Sequence, residues 1–153
     1  MSAAFALLED EELLQAEFAK LSPIEQAVTN WQLGWLNLQA HKHQIEPAGE
    51  WWNIWLMLAG RGAGKTRAAA ETLAYWAWEQ PGTRWLVSAP TSGDLKGTCF
   101  EGDSGLIKVI PSVLIEKYNS SLHEIHLING SFIKGIPASE PERFRGPQFH
   151  GGW

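Results

Sequence analysis

Hydrophobic positions follow two regimes along this chain. Up to about residue 40 they recur at helical spacing. Leu13, Leu14 and Phe18 share one face of a helix over Glu9 to Lys20, and Ala27, Trp31, Trp35 and Leu38 line one stripe of a second helix running to about Leu38. Ser22-Pro23-Ile24-Glu25 opens that second helix as a capping box with proline at the first helical position. Residues 39–50, with Pro47 and Gly49, read as a connector. Beyond it the pattern changes to short apolar runs. Trp52-Asn53-Ile54-Trp55-Leu56-Met57-Leu58 has the character of a strand buried on both faces of a parallel sheet. Thr66 to Gln80 reads as an alanine-rich helix stopped by Pro81-Gly82, and Arg84 to Pro90 as a second strand. Strand, helix, strand is the unit of a parallel sheet with a right-handed crossover.

Further on, Thr91 to Phe100 and Ser104 to Ile110 read as short helices, the latter ended by Pro111. Glu124 to Ile128 and Ser131 to Ile136 flank Asn129-Gly130, a pairing that predicts a hairpin with a type I′ turn. A polar loop follows from Pro137 to Gln148. The expected architecture is α/β: a mostly parallel sheet flanked by helices, with a helical segment over 1–40 ahead of a core over 41–153 that carries the hairpin.

The junction between the first apolar run and the alanine-rich helix carries the chemistry. Ala59-Gly60-Arg61-Gly62-Ala63-Gly64-Lys65-Thr66 has the form of a Walker A loop, with alanine where the strict spacing has its first glycine. Gly60, Gly62, Ala63 and Gly64 supply backbone N–H groups that curl around phosphate oxygens; Lys65 reaches the β and γ phosphates; the Thr66 hydroxyl holds Mg²⁺. The helix N-terminus adds partial positive charge. Alanine at position 59 is compatible if the chain there keeps φ < 0. The plainer alternative is a glycine-rich turn without a ligand. Arginine accelerates phosphoryl transfer by neutralising charge on the transferring group. Arg61 lies inside the loop, and Arg143 and Arg145 lie in Glu140-Pro141-Glu142-Arg143-Phe144-Arg145-Gly146-Pro147, where pairing with Glu140 and Glu142 at a solvated surface is the competing reading. No apolar run ends in the acidic pair that an ATPase uses to order Mg²⁺ and orient water.

Composition narrows the picture modestly. A chain of 153 residues that is 44% hydrophobic suffices for one packed domain, and a net charge of −5 argues against a chain-wide nucleic-acid surface. No stretch is long and apolar enough to span a membrane, and the N-terminus lacks the basic flank of a signal peptide. Cys99 stands alone, which rules out an internal disulfide and favours a buried, inert thiol. His123 and His126 point to opposite faces of a strand, and His41 and His43 lack a third ligand nearby in sequence, so neither pair forms a metal site on this reading. Most of the tryptophans read as core or interface anchors.

From about residue 30 to the end, the ordered blocks LAGRGAGKTR, WLVSAPT, FEGDSGL, the Asn-Gly hairpin, SEPERFRGPQ and HGGW resemble the large terminase subunit of tailed phages, a DNA-packaging motor. The resemblance implies a P-loop NTPase fold that here stops ahead of the Walker B acid, the catalytic Glu and a nuclease domain. It implies ATP and Mg²⁺ as cofactors, with Lys65 at phosphate, Thr66 at the metal and Arg61 near the γ-phosphate. Gln44 falls where such motors read the adenine edge, and Arg145 before Gly146 matches an element that completes a neighbouring subunit's site. The implied partners are double-stranded DNA, a small terminase subunit and the portal of a prohead, in a homo-oligomeric ring in the host cytoplasm with no membrane association. Ala89-Pro90-Thr91 also resembles a helicase motif, which keeps a helicase or translocase ATPase as an alternative; an inactive nucleotide-binding fragment is another.

Overall fold

A computed structural model describes residues 3–49 and 51–153, with side chains from Glu11 onward. The first helix, α1, spans Ala3–Lys20, longer than its apolar spacing predicts, and Leu13 and Leu14 stay exposed on it. Helix α2, Pro23–Leu33, opens on the expected capping box: the Ser22 hydroxyl accepts from the Glu25 N–H, and the Glu25 carboxylate accepts from the Ser22 N–H. It then widens into a π-helical stretch, Gly34–Gln39, closed by the Ala40 N–H donating to the Trp35 carbonyl. The wider turn carries an extra residue, which rotates the side chains that follow. Trp35 is therefore buried, but Leu38, expected on the same stripe, is 85% exposed.

Helix α3, Lys65–Glu79, follows the glycine-rich loop, and strand β1, Arg84–Ala89, follows α3, both close to their predicted bounds. Short helix α4, Ser92–Asp94, continues as a π-helical stretch over Leu95–Phe100; α5 covers only Leu106–Val109. Three further strands follow: β2, Ile115–Asn119; β3, Glu124–Leu127; and β4, Phe132–Pro137. The last strand, β5, is Gly151–Gly152. The sheet has the order β2-β3-β4-β1-β5. β1 runs parallel to β4 and β5, whereas β2–β3 and β3–β4 are antiparallel, so the sheet is mixed rather than mostly parallel. The difference has two sources: β2, with a register shift between Ile115 and Lys117 that breaks the alternation marking a strand, adds an antiparallel pair, and residues 52–58, expected as a parallel strand, do not join.

The core forms where α3 lies on the sheet. Ala70, Leu73, Ala74 and Ala77 pack with Trp85 and Val87 of β1, Ile125 and Leu127 of β3, and Ile133 of β4. Small residues on α3 let its backbone approach the sheet closely, and burying Leu73 alone contributes about 2 kcal/mol. The hairpin closes differently from the type I′ expectation. Gly130 alone in the turn has positive φ, at +83°. The Gly130 N–H donates to Leu127 and the Leu127 N–H to Ser131, the pattern of a three-residue turn ending in a left-handed glycine. Asn129 instead spends its side chain on α3, with Nδ2 donating to the carbonyls of Ala77 and Trp78 at 2.9 and 2.8 Å. The turn thereby caps the C-terminus of the helix that the loop begins.

The largest departure concerns residues 52–58. They are irregular, with a bend at Asn53, and are not part of the sheet, and Ile54 and Leu58 are each 85% exposed. A buried strand needs hydrogen-bonding neighbours on its flanks. Here the nearest sheet edge, β5, is separated from the segment by a cleft of about 740 Å³ lined by Ile54, Trp55 and Met57 on one side and Gly151, Gly152 and Trp153 on the other. Trp52 still anchors the segment, donating to the Pro47 carbonyl and packing on Trp76.

Candidate functional site

The glycine-rich loop bends at two left-handed positions, Gly62 at φ +78° and Gly64 at φ +74°, while Ala59 and Gly60 remain at negative φ. Alanine at 59 is therefore unstrained, as its position before the bend requires. Gly64 is the N-cap of α3 and no side chain caps this end, so the first-turn N–H groups of the helix have no side-chain partner. Such groups suit an anion. The Lys65 ammonium folds back over the loop and donates to the carbonyls of Ala59 and Gly60, each at 2.7 Å. Lys65 and Thr66 both line the cleft facing β5, and Arg61 is exposed at the tip of the bend.

On the other side of the loop lies a second cavity, of about 440 Å³. Trp35, Gln39, His41, His43, Gln44, Gly62, Ala63, Gly64 and Arg67 surround it. The connector reaches the loop through a short 3₁₀ turn, Lys42–Gln44. Gln44 is buried there, with Oε1 accepting from the His41 N–H at 2.8 Å and Nε2 donating to the Gly64 carbonyl at 3.2 Å. His43 Nε2 lies 3.3 Å from the Ala63 carbonyl, and the imidazoles of His41 and His43 stack with centroids 5.7 Å apart and planes 6° from parallel. Among the described residues no group of three or more His, Cys, Asp or Glu side chains is arranged to hold a metal ion.

Two residues beyond Lys65, Arg67 joins this wall to the N-terminal helices. Its Nε donates to Glu71 Oε1 at 2.7 Å, and its Nη2 lies 2.6 Å from the same oxygen and 3.0 Å from Gln39 Oε1, while the guanidinium sits over the Trp35 ring. Glu71 Oε2 accepts from Trp31 Nε1 at 2.6 Å. Burial pushes the Glu71 carboxyl above its ordinary value, opposed by the Trp31 hydrogen bond and the Arg67 charge. Sequence reading missed this set. The Arg67–Glu71 spacing of i, i+4 is a visible signal, but Trp31 and Gln39 reach it only through tertiary packing.

Arg143 and Arg145 stand apart. Arg143 pairs with Glu140, and Arg145 with Glu142 at 2.8 Å, within the same exposed loop, and neither lines the two cavities beside the glycine-rich bend. Each of these arginines thus has a carboxylate partner within its own loop. Cys99 is buried, and burial with the Asp94 charge nearby pushes its thiol up to about 11. The C-terminal blocks meet β1 as a new strand: β5 pairs Gly151 and Gly152 with Trp85 and Leu86.

The model of the family described as terminase large subunit, T4likevirus-type, N-terminal, matches residues 56–153 of this chain. No curated protein and no solved structure matches the chain.

Proposed function

Because this chain belongs to the T4-like-virus-type N-terminal family of terminase large subunits, which serve phage DNA packaging, we propose that it is the ATP-binding part of the packaging motor, with a P-loop NTPase core. The supporting observation is the bend at Gly62 and Gly64, which leads directly into the uncapped N-terminus of α3 with Lys65 and Thr66 side by side in one cleft. The residues fit a nucleotide. Gly60, Gly62, Ala63 and Gly64 would present backbone to the phosphates, Lys65 would exchange its loop carbonyls for phosphate oxygens, and the Thr66 hydroxyl would hold Mg²⁺. The metal, when bound, would supply positive charge against the phosphates.

Gln44 sits at the base side of the loop, where one amide hydrogen and one lone pair remain for an adenine edge beyond its bonds to Gly64 and His41. Arg61, exposed at the tip, serves the γ-phosphate. Arg145, held by Glu142 at the surface, is available to a neighbouring subunit's site in a homo-oligomeric ring. On this reading ATP turnover drives double-stranded DNA into a prohead through its portal, with a small terminase subunit as partner, in the host cytoplasm. Among the described residues no helix is long and apolar enough to cross a membrane.

Calorimetric titration of the chain with ATP and Mg²⁺ tests the reading. Saturable binding that is lost in Lys65→Ala is expected; equal heats for the two proteins overturn it.

A further inference from the structure

The cavity on the far side of the glycine-rich loop owes its wall to a chain of contacts that crosses three elements. Trp31 on α2 donates to Glu71 on α3; Glu71 holds Arg67; Arg67 holds Gln39 at the end of the π-helical stretch. From Gln39 the backbone runs one residue to Ala40 and then to His41, whose N–H is received by Gln44, and Gln44 closes the circuit on Gly64. We infer that Arg67 and Glu71 are positioning residues for the nucleoside portion of the bound nucleotide, coupling the N-terminal helices to the base side of the site. This inference rests on the reading above that the loop takes a nucleotide.

Three observations carry it. First, the Glu71 side chain is only 1% exposed, and both its oxygens are spent on partners that fix Arg67 and Trp31, so its place in the fold is set by this network. Second, the Arg67 guanidinium is restrained on several sides, by Glu71, by Gln39 and by the Trp35 ring, yet the residue still lines the cavity together with Gln39, His41 and Gln44. A guanidinium held in this way presents a flat cationic surface on which a base can stack without further loss of side-chain entropy. Third, the two side chains assigned to the phosphates lie outside the circuit. Among the described residues Lys65 bonds to Ala59 and Gly60, and Thr66 lines the cleft on the opposite side. The network's side chains thus serve the base side of the loop and meet the phosphate-binding backbone at one point, the Gly64 carbonyl.

That separation supplies the test, because ATP and inorganic tripolyphosphate share the phosphate chain and differ in the nucleoside. Both are titrated into the wild-type chain and into Glu71→Gln, Trp31→Phe and Gln39→Ala, with melting temperatures measured in parallel. Trp31→Phe keeps an aromatic ring in place and deletes the donor to Glu71, which guards against a variant that merely fails to fold. The wild-type chain is expected to bind ATP more tightly than tripolyphosphate. Each variant is expected to lose about fivefold to tenfold in ATP affinity, the scale of one hydrogen bond to a charged group, with tripolyphosphate affinity unchanged. Equal loss of both ligands assigns the network a general structural role and overturns the inference, as does unchanged ATP affinity. Equal wild-type affinity for the two ligands overturns it while leaving the phosphate grip intact. A wild-type chain that binds neither ligand defeats the nucleotide reading itself and this inference with it.

Discussion

Gln44 reaches across twenty residues of sequence to donate to the carbonyl of Gly64, and its amide nitrogen occupies the space that a side chain at position 64 would fill: a Cβ built there lies 2.0 Å from Gln44 Nε2. Gly62, the other left-handed glycine of the bend, has nothing within 4 Å of the same construction. The two glycines share a backbone requirement and differ in what surrounds them. Gly62→Ala is expected to cost about 1 kcal/mol of left-handed strain. Gly64→Ala adds expulsion of Gln44 to that strain, so it should cost more stability and also free the 41–44 connector. Chemical denaturation of both variants, with proteolysis between residues 40 and 60 as a local readout, checks the ordering; an equal effect of the two contradicts it.

Asn129 ties the hairpin to the C-terminus of α3 through the carbonyls of Ala77 and Trp78. Asn129→Ala leaves both carbonyls without that donor. A loss of about 1–2 kcal/mol is expected from urea midpoints. Asn129→Asp keeps the acceptor for the Ser131 N–H but cannot donate, and should be no better.

Glu124 contributes an acid-sensitive contact. Partial burial raises its pKa, but the Lys134 hydrogen bond and charge, with His126 beside it, outweigh burial and hold the carboxyl below its ordinary 4.5. A carboxyl depressed in the folded state adds stability that is fully present above its unfolded pKa and is lost as pH falls through the folded value. The wild-type chain should therefore lose roughly 1 kcal/mol more than Lys134→Met on going from pH 6 to below pH 4. Parallel loss in the two proteins counts against the pair.

Cys99 should resist thiol reagents. It is 5% exposed and its thiol is pushed up to about 11, so little thiolate exists at pH 8. Native protein is expected to react with a disulfide reagent far more slowly than urea-unfolded protein, and similar rates would contradict the burial.

Residues 52–58 present Ile54, Leu56 and Leu58 to solvent opposite the free edge of β5. An exposed apolar segment beside an open edge favours association. Sedimentation of the wild-type chain should show concentration-dependent self-association that is reduced in the combined Ile54→Ser and Leu58→Ser variant.

Local chemistry in the chain was enough to specify the capping box at Ser22, helix α3 and its proline-glycine stop, strand β1, the hairpin, and the glycine-rich bend ahead of Lys65 and Thr66, because each depends on neighbours within a few positions. The burial of Gln44 on Gly64, the bonds that tie Trp31 to Glu71 and Gln39 to Arg67, and the docking of Asn129 on α3 join residues 20 to 52 positions apart, and no local pattern specifies such pairs; the Arg67–Glu71 step between them, four residues apart on α3, is local. Packing also overruled local pattern. A π-turn rotated Leu38 into solvent, and the apolar run 52–58 stayed outside the sheet because strand pairing requires a neighbour at hydrogen-bonding distance, which hydrophobicity alone does not provide.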